Sequence, residues 1–274
     1  MSRFLGCGCP QRPLYEVEPC VWAGRSNGWE AVPELTDEFR ANSLDLRKWF
    51  PYSPFSFGTK PGLFVPSNVS VSDQKAWLTP KREMLPDDAP GGYEGWTTGA
   101  LVSQYKQLYG YFECSFKASD TALASRFMLV GKRKKKRMSV DVFSYSAHEE
   151  NKELVFMDAL FATKDEDGKA VEAKHPLKKI ILDMPDHPVT VGIDWTPDHL
   201  KTYVDGHVIR NLENKYWHSP MQIGFFLETI PDRFGVPNEN QLKRRAAMEI
   251  YYVRTWQRTS SVRQERISSL DGEL

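Results

Sequence analysis

Polar and apolar residues alternate in short runs along most of the chain, and turn-forming residues separate these runs. Alternation with a period of two is typical of half-buried strands, whereas an amphipathic helix has a period of about 3.6 residues. No long segment has the helical period. The pattern therefore predicts an all-β sandwich of two antiparallel sheets. The predicted strands lie within residues 61–71, 77–79, 97–103, 109–113, 125–130, 138–145, 154–162, 187–198, 200–206, 221–228 and 248–256.

Two of these strands lie at the middle of the chain, on either side of a strongly basic segment. Ser125–Val130 and Met138–Tyr145 flank six consecutive basic residues, Lys132–Arg137. We expect the basic segment to form the loop of a hairpin between the two strands. A further charged segment, residues 164–179, is predicted to be a solvated loop.

The second of the two central strands carries three small polar residues, Ser139, Asp141 and Ser144. Strict alternation places the first two on one face and Ser144 on the other. A single extra residue, a β-bulge, would turn all three to the same face. The spacing thus predicts a bulged strand that presents three polar side chains to one surface.

Composition narrows the possible partners of this 274-residue chain. Lys and Arg together number 36 and Asp and Glu number 36, so the net charge is zero and electrostatic recognition must be local. No run of 18 apolar residues occurs, which predicts that no segment spans a membrane. The predicted organisation is an irregular segment at 1–28, one domain at 29–257 and a polar tail at 258–274.

The four cysteines predict neither a disulfide framework nor a zinc site. Cys7 and Cys9 are separated by one residue, which is poor geometry for a disulfide, and no histidine lies near them or Cys20. Cys114 lies in a predicted strand. The residues before Cys7 lack the apolar run of a lipoprotein signal, so no intact secretion signal is predicted.

The bulged polar strand resembles the active-site strand of glycoside hydrolase family sixteen, whose pattern is Glu-x-Asp-x-x-Glu. In that family the first Glu is the nucleophile, the Asp assists it, and the last Glu is the general acid/base. This chain keeps only Asp141. Ser139 stands at the nucleophile position and Ser144 at the acid/base position.

Further motifs of the family occur in the same order along the chain, so the resemblance covers about residues 29–256. It implies a β-jelly roll with a concave groove for substrate. In the agarase, porphyranase and carrageenase branch, a Ser-x-Phe-Trp-Leu strand lines the groove, and Met128 here replaces its tryptophan. The matching segments are LDLRKW at 44–49, YGYFE at 109–113, SRFML at 125–129, WTPD at 195–198, YVDG at 203–206 and YVR at 252–254.

The two serines predict that the family's reaction fails in this chain. Retaining hydrolysis requires two carboxyl groups, one to attack the sugar and one to protonate the leaving oxygen. A serine hydroxyl is too weak an acid, and it is a poor nucleophile without an adjacent base. His148 is not expected to contact Ser144, and no nucleophile-elbow motif is present.

Two explanations of the serines remain open. The chain is either a natural non-catalytic polysaccharide-binding relative or a retaining endo-hydrolase that has been inactivated by engineered Glu-to-Ser substitutions. Each Glu-to-Ser change needs at least two base changes, and both positions carry the same residue, which favours the second explanation.

The resemblance is closest to the branch that cleaves algal galactans, some of which are sulfated. Trp96 is the candidate for stacking on a sugar ring, with a core tryptophan as the alternative. Sulfate binding is predicted for the basic segment, which could equally be a solvated hairpin; nucleic-acid binding is the weaker third interpretation. The predicted substrate-binding residues are Trp96, Arg126, Met128, Tyr145, Glu228, Lys132 and Arg133.

The family also implies a structural calcium ion, for which Glu38 and Glu249 are candidates; no other cofactor is predicted. The expected partner is a polysaccharide or oligosaccharide, with no nucleic acid and no membrane span. We expect a monomer that is secreted or displayed at the cell surface.

Overall fold

The computed structural model describes residues 28–133, 136–148, 151–156, 159–164, 170–174, 178–181, 187–242 and 245–259. Only the backbone is described for residues 133, 136, 137 and 148 and for the strands between 151 and 181. Cys7, Cys9 and Cys20, together with the predicted segments 1–28 and 258–274 over most of their length, lie outside these ranges.

Short strands dominate the described chain. Two single-turn helices, α1 (Pro231–Phe234) and α2 (Glu239–Leu242), and two 3₁₀ turns, Pro33–Leu35 and Pro66–Asn68, join some of them. The strands are β1 (Trp29–Ala31), β2 (Trp49–Phe50), β3 (Gly62–Phe64), β4 (Val69–Ser72), β5 (Lys75–Leu78), β6 (Lys81–Arg82), β7 (Trp96–Thr98), β8 (Ala100–Ser103), β9 (Gly110–Lys117), β10 (Ala124–Arg133), β11 (Lys136–His148), β12 (Asn151–Phe156), β13 (Ala159–Lys164), β14 (Ala170–Lys174), β15 (Lys178–Ile181), β16 (Val189–Trp195), β17 (His199–Val204), β18 (His207–Glu213), β19 (Gln222–Glu228) and β20 (Met248–Arg258).

Two large antiparallel sheets form from these strands. One has the order β18-β17-β16-β9-β20-β5-β4, with β1 added to β20. The other has the order β14-β13-β11-β10-β19-β8-β2, with β12 and β15 attached through β11. A small third sheet, β3-β7-β6, contains a parallel pair between β3 and β7. The predicted all-β architecture is confirmed.

The hydrophobic core lies between the two large sheets and follows from the alternation of each strand. One face of β9 contributes Phe112 and Phe116, and one face of β19 contributes Phe225. The ring of Phe225 stacks on Phe127 of β10 at 5.0 Å between centroids and 13° between planes. Alternate residues of the same strands point away from the core, and on the nine-stranded sheet we call that side the outer face.

The basic segment is not a six-residue loop, which corrects the prediction. β10 continues to Arg133 and β11 begins at Lys136, and Lys132 pairs in register with Arg137. Long charged side chains can extend past a strand edge into water, so a basic sequence does not end strand pairing. The charged segment 164–179 likewise includes the paired strand β14 and the start of β15.

Two further features bear on the sequence predictions. Cys114 lies buried in β9 as a free thiol, and burial raises its pKa well above the ordinary value. Among the described residues, no helix is long and apolar enough to cross a bilayer.

The far side of the eight-stranded sheet holds a buried carboxyl group, that of Glu113. Tyr111 and Tyr252 donate hydrogen bonds to its two oxygens at 3.1 and 3.0 Å. Desolvation raises the pKa of Glu113 above its ordinary value of 4.5, and these hydrogen bonds and Arg254 offset only part of the rise.

We expect Glu113→Gln to change the pH dependence of stability. Because the folded pKa is raised, the folded chain keeps this proton where the unfolded chain has released it, so the contribution of Glu113 to stability falls as the pH rises above about 4.5. Urea unfolding should therefore show Glu113→Gln gaining stability relative to the unmodified protein between pH 4 and pH 7. The exposed control Glu34→Gln should show the same pH dependence of stability as the unmodified protein. If the stability of Glu113→Gln also changes with pH in parallel with that of the unmodified protein, the prediction is contradicted.

Candidate functional site

The predicted bulge is present in β11. Phe127 pairs with Phe143, and the next residue of β10, Met128, pairs with Asp141. Val142 is therefore the extra residue. Val140, Val142 and Phe143 pack in the core, so Ser139, Asp141 and Ser144 share the outer face.

Two buried side chains hold the backbone of β11 just before the bulge. The buried Arg210 donates a hydrogen bond to the carbonyl of Asp141. The indole of Trp217 donates to the carbonyl of Ser139 at 3.1 Å. A bulge disrupts the regular ladder, and buried carbonyls that lose ladder partners must find others. Sequence reasoning missed both residues because they lie about 70 positions or more further along the chain.

We expect Trp217→Phe to destabilise the protein by about 1–3 kcal/mol, because a buried carbonyl loses its donor. The same change should weaken any ligand binding at the outer face, since the strand that carries Ser139 loses its support. Trp195→Phe is the matched control: Trp195 is also fully buried and donates its indole N–H to a carbonyl, that of Trp217, at 3.0 Å. Urea unfolding should show a loss of stability for both variants, whereas ligand binding at the outer face should be reduced only for Trp217→Phe. Equal binding by the two variants contradicts the prediction.

An ion-pair network crosses three strands at the outer face. Arg126 of β10 donates from Nη2 to Oδ1 of Asp141 at 2.7 Å and from Nη1 to Oε1 of Glu228 at 2.6 Å. Its side chain is only 12% exposed. Burial opposes the charge of Arg126, but the two carboxylates outweigh this and raise the pKa of the guanidinium. Thr59, which the sequence patterns did not indicate, donates to Oε2 of Glu228 at 2.8 Å.

Ser139 and Ser144 are both buried on the outer face. Ser144 is fully buried and pairs in register with Arg126. Within the described part of the chain, Ser144 Oγ, Ser146 Oγ and Arg126 Nε are buried without hydrogen-bond partners. Ser139 is 5% exposed. The polar groups that the sequence predicted to converge are thus on one face, beside a salt bridge that it did not predict.

An apolar cluster covers the neighbouring part of the outer face. Phe64 of β3 packs against Phe226, with ring centroids 5.8 Å apart, and against Met128. Phe55 adds to this cluster, and Lys132 Nζ lies 5.5 Å from its ring centroid. The segment 55–64 therefore forms a wall along the β10 side of the polar residues, and we call it the wall segment.

The remaining predicted binding residues lie in different surroundings. Trp96 is 6% exposed in the small sheet, and the guanidinium of Arg82 lies 5.4 Å above its ring. Tyr145 does not line the outer face, because it follows Ser144 and alternation turns it into the core beside Phe143. The side chain of Arg133 is outside the described set. Trp96 as a stacking residue and Arg133 as a sulfate ligand stay predictions.

The two calcium candidates do not fit a cation site. Arg254 Nε donates to Glu38 at 2.7 Å, and Lys75 Nζ donates to Glu249 at 2.8 Å. A carboxylate whose oxygens face a protein cation is a poor ligand for a second cation. In the part of the chain that the structure describes, no three His, Cys, Asp or Glu side chains cluster as a metal site would need.

An antiparallel sandwich with a bulged, polar strand on one outer face is the scaffold of jelly-roll glycoside hydrolases. The family described as "Beta-porphyranase A-D, GH16 domain" matches residues 29–258. The chain therefore belongs to glycoside hydrolase family sixteen, in its porphyranase group.

Similar proteins support the same assignment. Beta-porphyranase B of Zobellia galactanivorans is 31% identical over 108 residues, which cover 39% of this chain and 36% of that relative. Kappa-carrageenase of Pseudoalteromonas carrageenovora is 23% identical over 270 residues, covering 83% of this chain and 64% of the relative. The chain thus matches about a third of the length of the porphyranase.

Solved structures show the fold. The crystal structure of porphyranase B from Zobellia galactanivorans superposes with a TM-score of 0.69 at 19% identity, covering 84% of this chain and 92% of that one. The kappa-carrageenase of Pseudoalteromonas carrageenovora, in complex with an oligotetrasaccharide of kappa-carrageenan, gives a TM-score of 0.72 at 21% identity, covering 88% and 99%. The predicted jelly roll is confirmed.

Proposed function

We propose that this chain binds a β-linked algal galactan at the outer face of the nine-stranded sheet and does not cleave it. The observation that carries the proposal is the bulge at Val142, which turns Ser139, Asp141 and Ser144 to one face in the order of the family's catalytic pattern. The relatives named for porphyran and carrageenan cleavage supply the substrate class.

The missing carboxyl groups explain why cleavage should fail. Retaining hydrolysis, the reaction of the parent family, needs a nucleophile and an acid/base about 5–5.5 Å apart. Ser144 is buried and has no base among the described residues bonded to its hydroxyl, so it can neither donate the proton nor attack. Asp141 is held by Arg126 at 2.7 Å and does not substitute for either group.

A galactan is a suitable ligand for the surface that remains. At the outer face the wall segment presents Phe57, which is 64% exposed, and the half-buried Phe55, and the C–H face of a pyranose can pack against such rings. The exposed Thr59 adds a hydroxyl group that can bond sugar hydroxyls. Lys132 is exposed beside Phe55, where a sulfate ester could pair with it. A protein that binds such polysaccharides would act outside the cell, secreted or at the surface.

Affinity electrophoresis in gels containing porphyran, agarose, κ-carrageenan or laminarin tests binding, and reducing-sugar release on the same polymers tests cleavage. We expect retardation by at least one galactan, no retardation by the glucan laminarin, and no sugar release. Free migration in all four gels refutes the proposal, and so does release of sugar by the unmodified chain. Nucleic acid added as a competitor should not displace the galactan.

Removing the charge of Lys132 distinguishes recognition of sulfate from binding of the unsulfated galactan chain. We expect Lys132→Met to weaken retardation by a sulfated galactan several-fold while leaving agarose binding unchanged, because only the sulfated polymer loses an ion pair. Lys106→Met, at another exposed lysine, is the control and should change neither. Equal weakening on both polymers shows that Lys132 does not recognise sulfate.

A further inference from the structure

Arg126 stands directly opposite the position of the missing general acid. It pairs in register with Ser144 on β11 and with Phe226 on β19, so its side chain starts on the same face as Ser144. From there its guanidinium reaches Asp141 at 2.7 Å and Glu228 at 2.6 Å. The guanidinium of Arg126 therefore lies across the outer face, where the hydrolysis catalysed by the family would take place.

A buried cation at this place conflicts with acid catalysis. A general acid must keep its proton until the leaving oxygen takes it, so its pKa has to lie near the working pH. A guanidinium within about 4–6 Å lowers the pKa of a carboxyl group by roughly 1–3 units. The carboxyl group introduced by Ser144→Glu would be a cross-strand neighbour of Arg126 and would be ionised near neutral pH.

The same guanidinium also removes Asp141 from its role in the family. There the central aspartate assists the nucleophile two residues before it on the strand. Here Asp141 is fully buried, and its Oδ1 accepts a charge-assisted hydrogen bond from Arg126. A hydrogen bond from a guanidinium favours the charged form of a carboxyl group, so this contact opposes the sharing of a proton between Asp141 and a carboxyl group introduced at position 139.

We infer that Arg126 is a positioning residue that keeps this site non-hydrolytic, so that glutamates at positions 139 and 144 restore hydrolysis only when the guanidinium is also removed. The inference rests on the proposed function, because it assigns the family's catalytic positions to Ser139 and Ser144. It differs from a role in substrate binding, since it concerns the protonation of the acid and of Asp141.

The test compares three chains that share Ser139→Glu and Ser144→Glu. The first keeps Arg126, the second adds Arg126→Gln, and the third adds Arg126→Lys. Gln retains a donor without the charge, whereas Lys retains the charge. On the galactan that the unmodified protein binds, we expect the Gln chain to release reducing sugar about 10²-fold faster or more than the other two.

The pH profile separates this role from a general effect on folding. In the chain that keeps Arg126, the residual rate should fall at a lower pH than in the Gln chain, because the acid loses its proton earlier. Arg254 supplies a matched control: it is 11% exposed and bonds Glu38 at 2.7 Å on the other sheet. Adding Arg254→Gln to the two serine changes should not raise the rate.

Several results would overturn the inference. One is equal hydrolysis with and without Arg126, and another is a Gln chain that binds galactan and releases no sugar. A carboxyl ¹³C titration of Ser144→Glu, with Arg126 or with Arg126→Gln, needs neither ligand nor turnover. It should give a lower pKa for the introduced carboxyl when Arg126 is present, and equal values refute the inference. Absence of galactan binding in every chain refutes only the proposed function, and the titration then decides.

Discussion

Arg126→Met is expected to lower the free energy of unfolding by about 3–5 kcal/mol at pH 7, because it leaves two buried carboxylates without their cation. Asp141 is fully buried and Glu228 is 6% exposed, so water replaces little of the lost interaction. Methionine approximates the length of the arginine stem, which keeps the change close to a removal of charge. Urea unfolding followed by tryptophan fluorescence measures the loss.

Neutralising the partners should recover much of that loss. When Asp141→Asn and Glu228→Gln accompany Arg126→Met, no charge remains buried in the network, and such replacements of ionic groups are often close to neutral. The free energy of unfolding of Arg126→Lys should lie between those of the unmodified protein and Arg126→Met, since one ammonium group cannot match two hydrogen bonds from a planar guanidinium. A cost below about 1 kcal/mol for Arg126→Met would mean that the network behaves like an exposed salt bridge.

The ion pair also bears on the origin of the two serines. A double substitution by design would change only positions 139 and 144 and leave the other residues of the site as in the parent enzyme. Arg126 bonds Asp141 at 2.7 Å and Glu228 at 2.6 Å, and Thr59 donates to Glu228 at 2.8 Å. On the inference that Arg126 opposes acid catalysis, a parent enzyme with this arginine would have been a poor hydrolase, which favours natural divergence to a binding protein over the removal of two glutamates by design.

The bulge could be predicted from the sequence because its cause is local. Ser139, Asp141 and Ser144 have a spacing that strict alternation cannot place on one face, and the apolar residues between them need the core. The strand itself supplies both constraints. Alternation also decides the position of Tyr145, and its assignment to the groove overlooked that neighbours in a strand point to opposite faces.

The contacts that set the chemistry of the site could not be predicted in the same way. Arg126 is 15 residues from Asp141 and 102 from Glu228, and no local period links such positions. The extension of β10 and β11 into the basic segment was missed for another reason. Charge suggests a solvated loop, yet Lys132 is exposed and also paired in register with Arg137, so strand pairing and solvation are compatible. Folding, not periodicity, brings these groups together.

Truncation of the wall segment by Phe64→Ala is expected to lower both the stability of the protein and its binding of galactan. Phe64 is 8% exposed and packs on Phe226, Met128 and Val130, so truncation leaves a cavity that costs about 3–5 kcal/mol. The loss should also weaken galactan binding several-fold, because Thr59 and its bond to Glu228 lie in the same segment. Urea unfolding and affinity electrophoresis on one preparation measure the two effects.

Phe57→Ala is the matched control within that segment, since Phe57 is 64% exposed. We expect it to leave stability within about 0.5 kcal/mol of the unmodified protein, as surface substitutions usually do. Its effect on binding then identifies what the segment does. If Phe57→Ala weakens galactan retardation without loss of stability, the exposed ring contacts the polysaccharide directly. If only Phe64→Ala weakens it, the segment acts by holding Thr59 and Glu228 in place, and unchanged binding in both variants removes the wall segment from the binding site.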